Sequence, residues 1–326
     1  MIYIRNDSLN PYYNLALEEY VLKNLDQNES YILLWQNEPS VIIGRFQNTI
    51  EEINTQYIKE NNVNVVRRIT GGGAVYHDLG NLNFSFIVTD SKNMIDFRQF
   101  TEPVVSALAK IGIQAEHTGR NDITIDNKKF SGNAQYHFRD RTLHHGTILF
   151  SSRLEDVQAA LSVKPDKIES KGLKSVRSRV TNIVDYIAEK ISVQEFRELL
   201  LYHLFEEKPI KEYKLSEEEQ NRIKQLVEDK YLTWEWNYGH SPEFNLKKSG
   251  RFSCGGIEIG LNVQKGIIEK CKIYGDFFSN EDINELAASF QGVRYREDDL
   301  NTFLESVDLS NYFNGLTRAE LLKCLF

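Results

Sequence analysis

The stretch "RRITGGGAVYHDLGNLNFSF", Arg67 to Phe86, constrains the fold more than any other part of the chain. "VNVVRRI" is β-branched and reads as a strand, and it runs straight into three glycines. Three consecutive glycines are costly to order, because each loses more backbone freedom than any other residue. "NLNFSFIVT" then alternates apolar and polar and reads as the next strand. A loop of this kind between strands is no phosphate loop of the common types. A Walker loop needs Gly-Lys-Ser/Thr after its spacer, and a dinucleotide fingerprint needs its glycines to open a helix. The arginines before the glycines suggest an anion. On a strand Arg67 and Arg68 face opposite ways, so only one can point at what the loop surrounds.

The rest of the chain reads as α+β. "NPYYNLALEEYVLKNL" is a helix with Asn10 as cap and Pro11 at its first position. "YILLWQ" and "SVIIGRF" are strands flanking a turn at 37–39, and "TIEEINTQYIKENN" is helical. "FRQFTEPVVSALAKIG" is a helix ending at Gly112. "DITIDNKKFSGNAQYHF" is a hairpin turning at Asp126–Asn127, and "HHGTILFSS" is a further strand. Hairpins mixed with helices favour a mixed sheet over a purely parallel one. "KPDKIESKGLKSVRSRVTN" has no period and reads as a long basic loop. Turn signals near residue 245 precede strand-like segments and helices. The expected organisation is a main domain, 1–245, and a small α+β domain of about 80 residues, 246–326.

The chain has 326 residues and a net charge of −8, which argues against general binding to nucleic acid or anionic membrane. Cys254, Cys271 and Cys324 are widely spaced, so neither a disulfide framework nor a zinc site is expected. No secretory signal and no bilayer-length apolar run is visible, and the expected location is the cytoplasm.

Against this acidic background, several short motifs suggest one anion site. In "NKKFSGNA" alternation lets only one of Lys128 and Lys129 face inward, and the small residues that follow leave room for a ligand. His145 in "HHGT" sits on a strand beside Gly146 and Thr147 and can line the same cavity. Asp122 in "GRND" is a candidate for a Mg²⁺ contact, since that ion often uses one carboxylate plus substrate phosphates. "KGLKSVRSRV" suits a basic lid. Together these residues suit a nucleotide or an acyl-phosphate.

In this order and approximate spacing, "RRITGGGAVYHDLGNLNFSF", "GRNDITIDNKKFSGNAQY", "HHGTILF" and "KGLKSVRSRVTN" resemble the lipoate–protein ligases of the biotin/lipoate ligase superfamily. The final 80 or so residues resemble the accessory domain of the long bacterial form. The resemblance implies a biotin/lipoate-ligase-type mixed sheet and a two-step reaction. Lipoate and Mg-ATP give lipoyl-AMP and pyrophosphate, and a lysine of an acceptor protein then takes the acyl group. It implies Lys129 as the central cation between lipoyl carbonyl and α-phosphate. Arg68, Gly73, Ala74, Val75 and Tyr76 would lie along the nucleotide, with Lys171, Lys174 and Arg177 in the covering loop. Gly71, Gly72, His77, Ser131, Ala134, His145 and Thr147 would surround the lipoyl group. Implied partners are lipoate or octanoate and lipoyl-domain acceptors, namely 2-oxoacid dehydrogenase E2 subunits and the glycine cleavage H protein. A monomer without nucleic-acid or membrane partners is expected. A cysteine-dependent acyltransferase of the same fold would need a thiol near the lysine, and all three cysteines lie beyond residue 250. A biotin ligase would carry a "GRGRxG"-type loop where "RRITGGG" stands. A non-catalytic lipoate or nucleotide sensor would bind ligand without consuming ATP.

Overall fold

The computed structural model describes residues 1–89, 96–119, 121–161, 180–238, 246–264, 266–295 and 297–325. The chain runs β1 (Ile2–Ile4), α1 (Pro11–Asn24), β2 (Tyr31–Trp35), β3 (Ser40–Ile43), α2 (Thr49–Glu52), α3 (Thr55–Glu60), β4 (Asn64–Arg67), β5 (Val75–His77), β6 (Asn81–Thr89) and α4 (Arg98–Lys110). It continues through β7 (Glu116–Thr118), β8 (Asp122–Ile125), β9 (Lys128–Phe138), β10 (Arg141–Leu149), α5 (Leu154–Ala160) and β11 (Glu212–Tyr213). The last part holds β12 (Leu246–Phe252), β13 (Gly255–Gln264) and β14 (Ile267–Gly275), then the helices Ile283–Ser289, Glu297–Glu305 and Arg318–Leu325.

An eight-stranded sheet in the order β11-β1-β2-β6-β10-β9-β8-β7 forms the main frame. β1 is parallel to β2 and β11, and the other pairs are antiparallel, which is the mixed sheet expected. One face packs on α4 and the helix Val193–Leu204 through Phe84, Phe100, Phe130, Phe150 and Phe196. The other face packs on α1 and on a small sheet, β4-β3-β5, through Leu15, Trp35, Ile42 and Val66. Asn10 caps α1 by accepting from the Tyr12 and Tyr13 N–H groups, as its sequence suggested.

The two strands flanking the turn at 37–39 are both present and lie in different sheets: β2 joins the large sheet and β3 the small one, so the turn between them passes the chain from one layer to the other. One local reading changes. The single helix expected over 49–62 is two short ones, because Ile53 is extended and Asn54 starts the second by accepting from the Tyr57 N–H. By contrast, Asp126 and Asn127 both take positive φ, 49° and 61°, in the expected two-residue hairpin turn between Ile125 and Lys128.

The C-terminal part has its own sheet, β12-β13-β14, and its own core around Ile259, Leu286, Phe290, Leu300 and Leu321. Phe46 of the main part joins that core and stacks on Phe277, with ring centroids 5.1 Å apart. The expected boundary near 245 falls in 239–245, outside the described residues. No helix among the described residues is long and apolar enough to cross a membrane.

Candidate active site

A cavity lies between the two sheets of the main part. Its floor is a row of residues across the large sheet. Trp35 pairs with Asn83, and Asn83 with Thr147. The Gly132 N–H donates to Thr147 Oγ1 at 3.2 Å, and Gly132 pairs with Asp122. Four inter-strand steps make this row roughly 19 Å long. The roof comes from Ile42, Val75 and His77 of the small sheet, with Arg68 and the glycine loop. Leu15, Trp35, Ile42 and Val75 make one end apolar, while Lys129, Asn121 and Asp122 make the other polar. The cavity therefore suits an elongated ligand with an anionic head and an apolar tail.

Lys129 reaches this space because of a β-bulge. Thr124 pairs with Lys129 but Ile123 pairs with Ser131, so Phe130 is an extra residue. Lys129, Gly132 and Ala134 share the cavity face, and Phe130 goes into the core. The lysine side chain crosses Gly132, whose missing Cβ would stand 2.9 Å from Nζ. Lys129 Nζ donates to Asp122 Oδ1 at 2.7 Å. Both side chains are more than a third exposed, so the pair contributes under about 1 kcal/mol to stability. Its effect is to aim the ammonium.

The two arginines divide their work as strand alternation requires. Arg67 is buried on the far side and donates to the Gly44, Arg45, Gln47, Trp236 and Asn237 carbonyls and to Thr49 Oγ1. Arg68 lines the cavity, but its guanidinium is already engaged. Nη2 donates to Gly71 O and Gly73 O at 2.7 and 2.8 Å, Nη1 to Ile42 O, and Nε to Thr70 Oγ1. It clasps the glycine loop from below. Burial pushes both guanidinium groups down to about 10, still charged near neutral pH.

Thr70 Oγ1 also lies 2.8 Å from His145 Nε2. His145 Nδ1 lies 3.0 Å from the buried Glu18 carboxylate, which accepts from Ser85 Oγ. Ser85 in turn accepts from Trp35 Nε1 at 2.8 Å. This network ties α1, β2, β6, β10 and the loop into one rigid wall.

Of the residues expected here, Arg68, Gly72, Gly73, Ala74, Val75, His77, Lys129, Ala134, His145 and Thr147 line the one cavity. Three do not. The Tyr76 side chain points the other way, into the cluster of Val41, Val65 and Ala160, because β5 alternates and Val75 and His77 take the cavity side. Ser131 is turned away by the bulge and accepts from Asn133 Nδ2. Gly71 serves the C-terminal part instead of a ligand: a Cβ there would stand 2.4 Å from Phe277 O. Asp122 is occupied with Lys129. Lys171, Lys174 and Arg177 lie outside the described residues.

Leu15, Trp35, Ile42 and Asn83 also line the cavity and were not singled out from sequence, whereas Gly132 falls in the small-residue run that suggested room for a ligand. Asn83 had a signal. In "NLNFSF" the polar face of the strand is Asn81, Asn83 and Ser85, and all three are buried. A polar stripe that does not reach water has to face a site or a network.

The glycine loop meets the C-terminal part directly. Gly72, at φ +90°, donates its N–H to Phe277 O at 3.1 Å. Phe278 packs on Phe97 and on Ala134 at the cavity wall. Arg45 Nη2 donates to Asp282 at 3.2 Å.

A family described as lipoyl protein ligase A/B catalytic domain matches residues 10–205, and one described as bacterial lipoate protein ligase C-terminus matches 241–325. The chain is 48% identical to lipoate-protein ligase LplJ of Bacillus subtilis (strain 168), covering 100% of both. The structure of P. falciparum LipL1 in complex with lipoate is similar with a TM-score of 0.76 and 30% identity, covering 94% of each chain. A crystal structure of lipoate-protein ligase A bound with ATP is similar at a TM-score of 0.63 and 30% identity, covering 73% of this chain and 98% of that one.

Proposed function

The chain belongs to the lipoyl protein ligase A/B family, and from that premise we propose that it activates lipoate with ATP and transfers the lipoyl group to a lysine of a lipoyl-domain acceptor. The observation that carries this reading is the aimed ammonium of Lys129 at the polar end of a cavity whose other end is apolar. A carboxylate is a poor acyl donor, so its oxygen must become part of a better leaving group. The carboxylate attacks the α-phosphorus and pyrophosphate leaves. Negative charge grows on the α-phosphoryl oxygens, and a fixed cation stabilises that charge more than it stabilises either ground state. Lys129 fits this role as a point charge, with Asp122 as its positioning partner. In the second step the acceptor amine attacks the acyl carbonyl and AMP leaves. The same ammonium can stabilise the carbonyl oxygen as it gains charge.

Gly72, Gly73, Ala74 and Val75 offer backbone along the adenylate, with Arg68 holding the loop in shape. Lys171, Lys174 and Arg177 remain assigned to covering the adenylate on the resemblance alone. Mg²⁺ would arrive with the ATP phosphates. Among the described residues no three His, Cys, Asp or Glu side chains cluster to hold a metal, and the near oxygen of Asp122 is taken by Lys129. In this reading 1–245 is the catalytic part and 246–326 the accessory part, supported by the separate core of the latter. A thiol-dependent acyltransferase finds no support, since none of the cavity residues is a cysteine and burial pushes the Cys271 thiol up to about 12. Acceptors of the E2-subunit and H-protein type and a cytoplasmic setting complete the proposal.

The test is to incubate the purified chain with lipoate, Mg-ATP and a lipoyl domain. Pyrophosphate release and a mass gain of one lipoyl group on the domain are expected. Acyl transfer from a carrier without ATP use, or tight binding with neither reaction, would overturn it.

A further inference from the structure

Two neutral N–H donors stand without partners at the apolar end of the cavity. His77 is 3% exposed and its Nε2 has no hydrogen-bond partner. Asn83 is 2% exposed and its Nδ2 has none either. They bracket Trp35: Asn83 pairs with it across the strands, and His77 meets it edge-on with ring centroids 6.2 Å apart.

The His77 proton is placed by a chain of amides. Ser8 N–H donates to Asn6 Oδ1 at 3.1 Å, which leaves Asn6 Nδ2 to donate to Asn14 Oδ1 at 2.8 Å. Asn14 Nδ2 faces two backbone carbonyls, Ser8 O and Gln36 O, so it is the nitrogen, and it also donates to Asn37 Oδ1. Asn37 Nδ2 is thereby left to donate to His77 Nδ1 at 3.0 Å. Nδ1 accepts, so the neutral ring carries its hydrogen on Nε2. Burial above all, with the charge of Arg68, pushes this imidazole down to about 3, so the ring stays neutral.

A buried donor with no acceptor is costly, and such atoms mark places where something else is meant to sit. The surrounding wall is Leu15, Trp35, Ile42 and Val75, which would penalise an oxygen-rich tail through desolvation. A divalent sulfur is both apolar enough for this wall and a weak hydrogen-bond acceptor. We propose that His77 Nε2–H and Asn83 Nδ2–H donate to the ring sulfurs of a lipoyl-type tail and so favour a sulfur-bearing acid over an all-carbon acid of the same length. The proposal rests on the ligase reading for its orientation, with the carboxylate at Lys129 and the tail at Trp35.

The experiment compares three acids as substrates of the full chain with Mg-ATP, reading kcat/KM for pyrophosphate release. They are lipoate, 5-cyclopentylpentanoate (the same ring shape without sulfur) and octanoate. The wild type should prefer lipoate to the cyclopentyl acid by about tenfold, the value of roughly one satisfied buried hydrogen bond. His77→Phe should bring that ratio close to one. His77→Gln, which keeps a donor, should hold part of the preference. A wild-type ratio near one, an unchanged ratio in His77→Phe, or an equal loss with all three acids would overturn the proposal. If His77→Phe does not fold, Asn83→Leu carries the same comparison. Should the wild type use none of the acids with ATP, the ligase reading fails, and the donors are judged by binding. A larger rise in Tm with lipoate than with the cyclopentyl acid supports them, and equal shifts or none overturn them.

Discussion

At the scale of single residues, charge and burial separate groups that look alike in the sequence. Lys128 is exposed, while Lys129 is drawn over Gly132 to Asp122. Lys129→Ala should abolish pyrophosphate release and lower stability by under about 1 kcal/mol in a urea melt, because its ion pair is half in solvent. A near-wild-type rate would remove it from its assigned role. His77 makes a pH prediction. Its folded value, about 3, lies below the ordinary 6.5, so the unfolded chain binds the extra proton between those limits. The stability from keeping the ring neutral is complete above about pH 6.5 and is lost as pH falls toward 3. Between pH 7 and 5 the loss amounts to about 2 kcal/mol for this group. His144, also held well below the ordinary value by burial, adds in the same direction. Urea unfolding at pH 7 and pH 5 measures the slope, and His77→Gln should reduce it by one histidine's share.

At the scale of elements, the bulge in β9 decides which face of the strand is chemical. Deleting Phe130 should restore a regular register, turn Lys129 to the face of Ser131 and remove pyrophosphate release. It should also cost roughly 3 kcal/mol of stability from the lost ring. Phe130→Leu keeps the extra residue and should retain activity at a cost of roughly 1 kcal/mol, as a melt with a parallel assay would show. This bulge marks the limit of what the sequence disclosed. Alternation alone set Arg67 and Arg68 on opposite faces, because a two-residue period leaves no choice on a regular strand, whereas Val75 and Tyr76 were placed together by resemblance and β5 separates them. Asp126–Asn127 announced its turn by residue type. Nothing in "NKKFSGNA" marks Phe130 as extra, since the pairing that makes it so is with β8, and Ser131 was accordingly placed on the wrong face. The glycines show a second limit. A sequence indicates that Gly71 needs room, but not that Phe277, more than two hundred positions away, is what needs it.

At the scale of the whole molecule, the C-terminal part is seated on the glycine loop. Gly71→Ala would push a Cβ into the Phe277 carbonyl, which is backbone and cannot swing aside. We expect a loss of roughly 2 kcal/mol in guanidinium unfolding, with faster proteolysis between the two parts than in wild type. The contact also carries a thermodynamic obligation. The Gly72 N–H is bonded to Phe277, while the carbonyls on either side of it are held by Arg68. Ligand in the cavity and the C-terminal part thus press on the same three peptide units. If seating that part changes the affinity for the acid or the adenylate by some factor, the ligand must change the seating equilibrium by the same factor. A titration of ligand and a measurement of how firmly the C-terminal part is docked are then two readings of one free energy, and either one fixes the other.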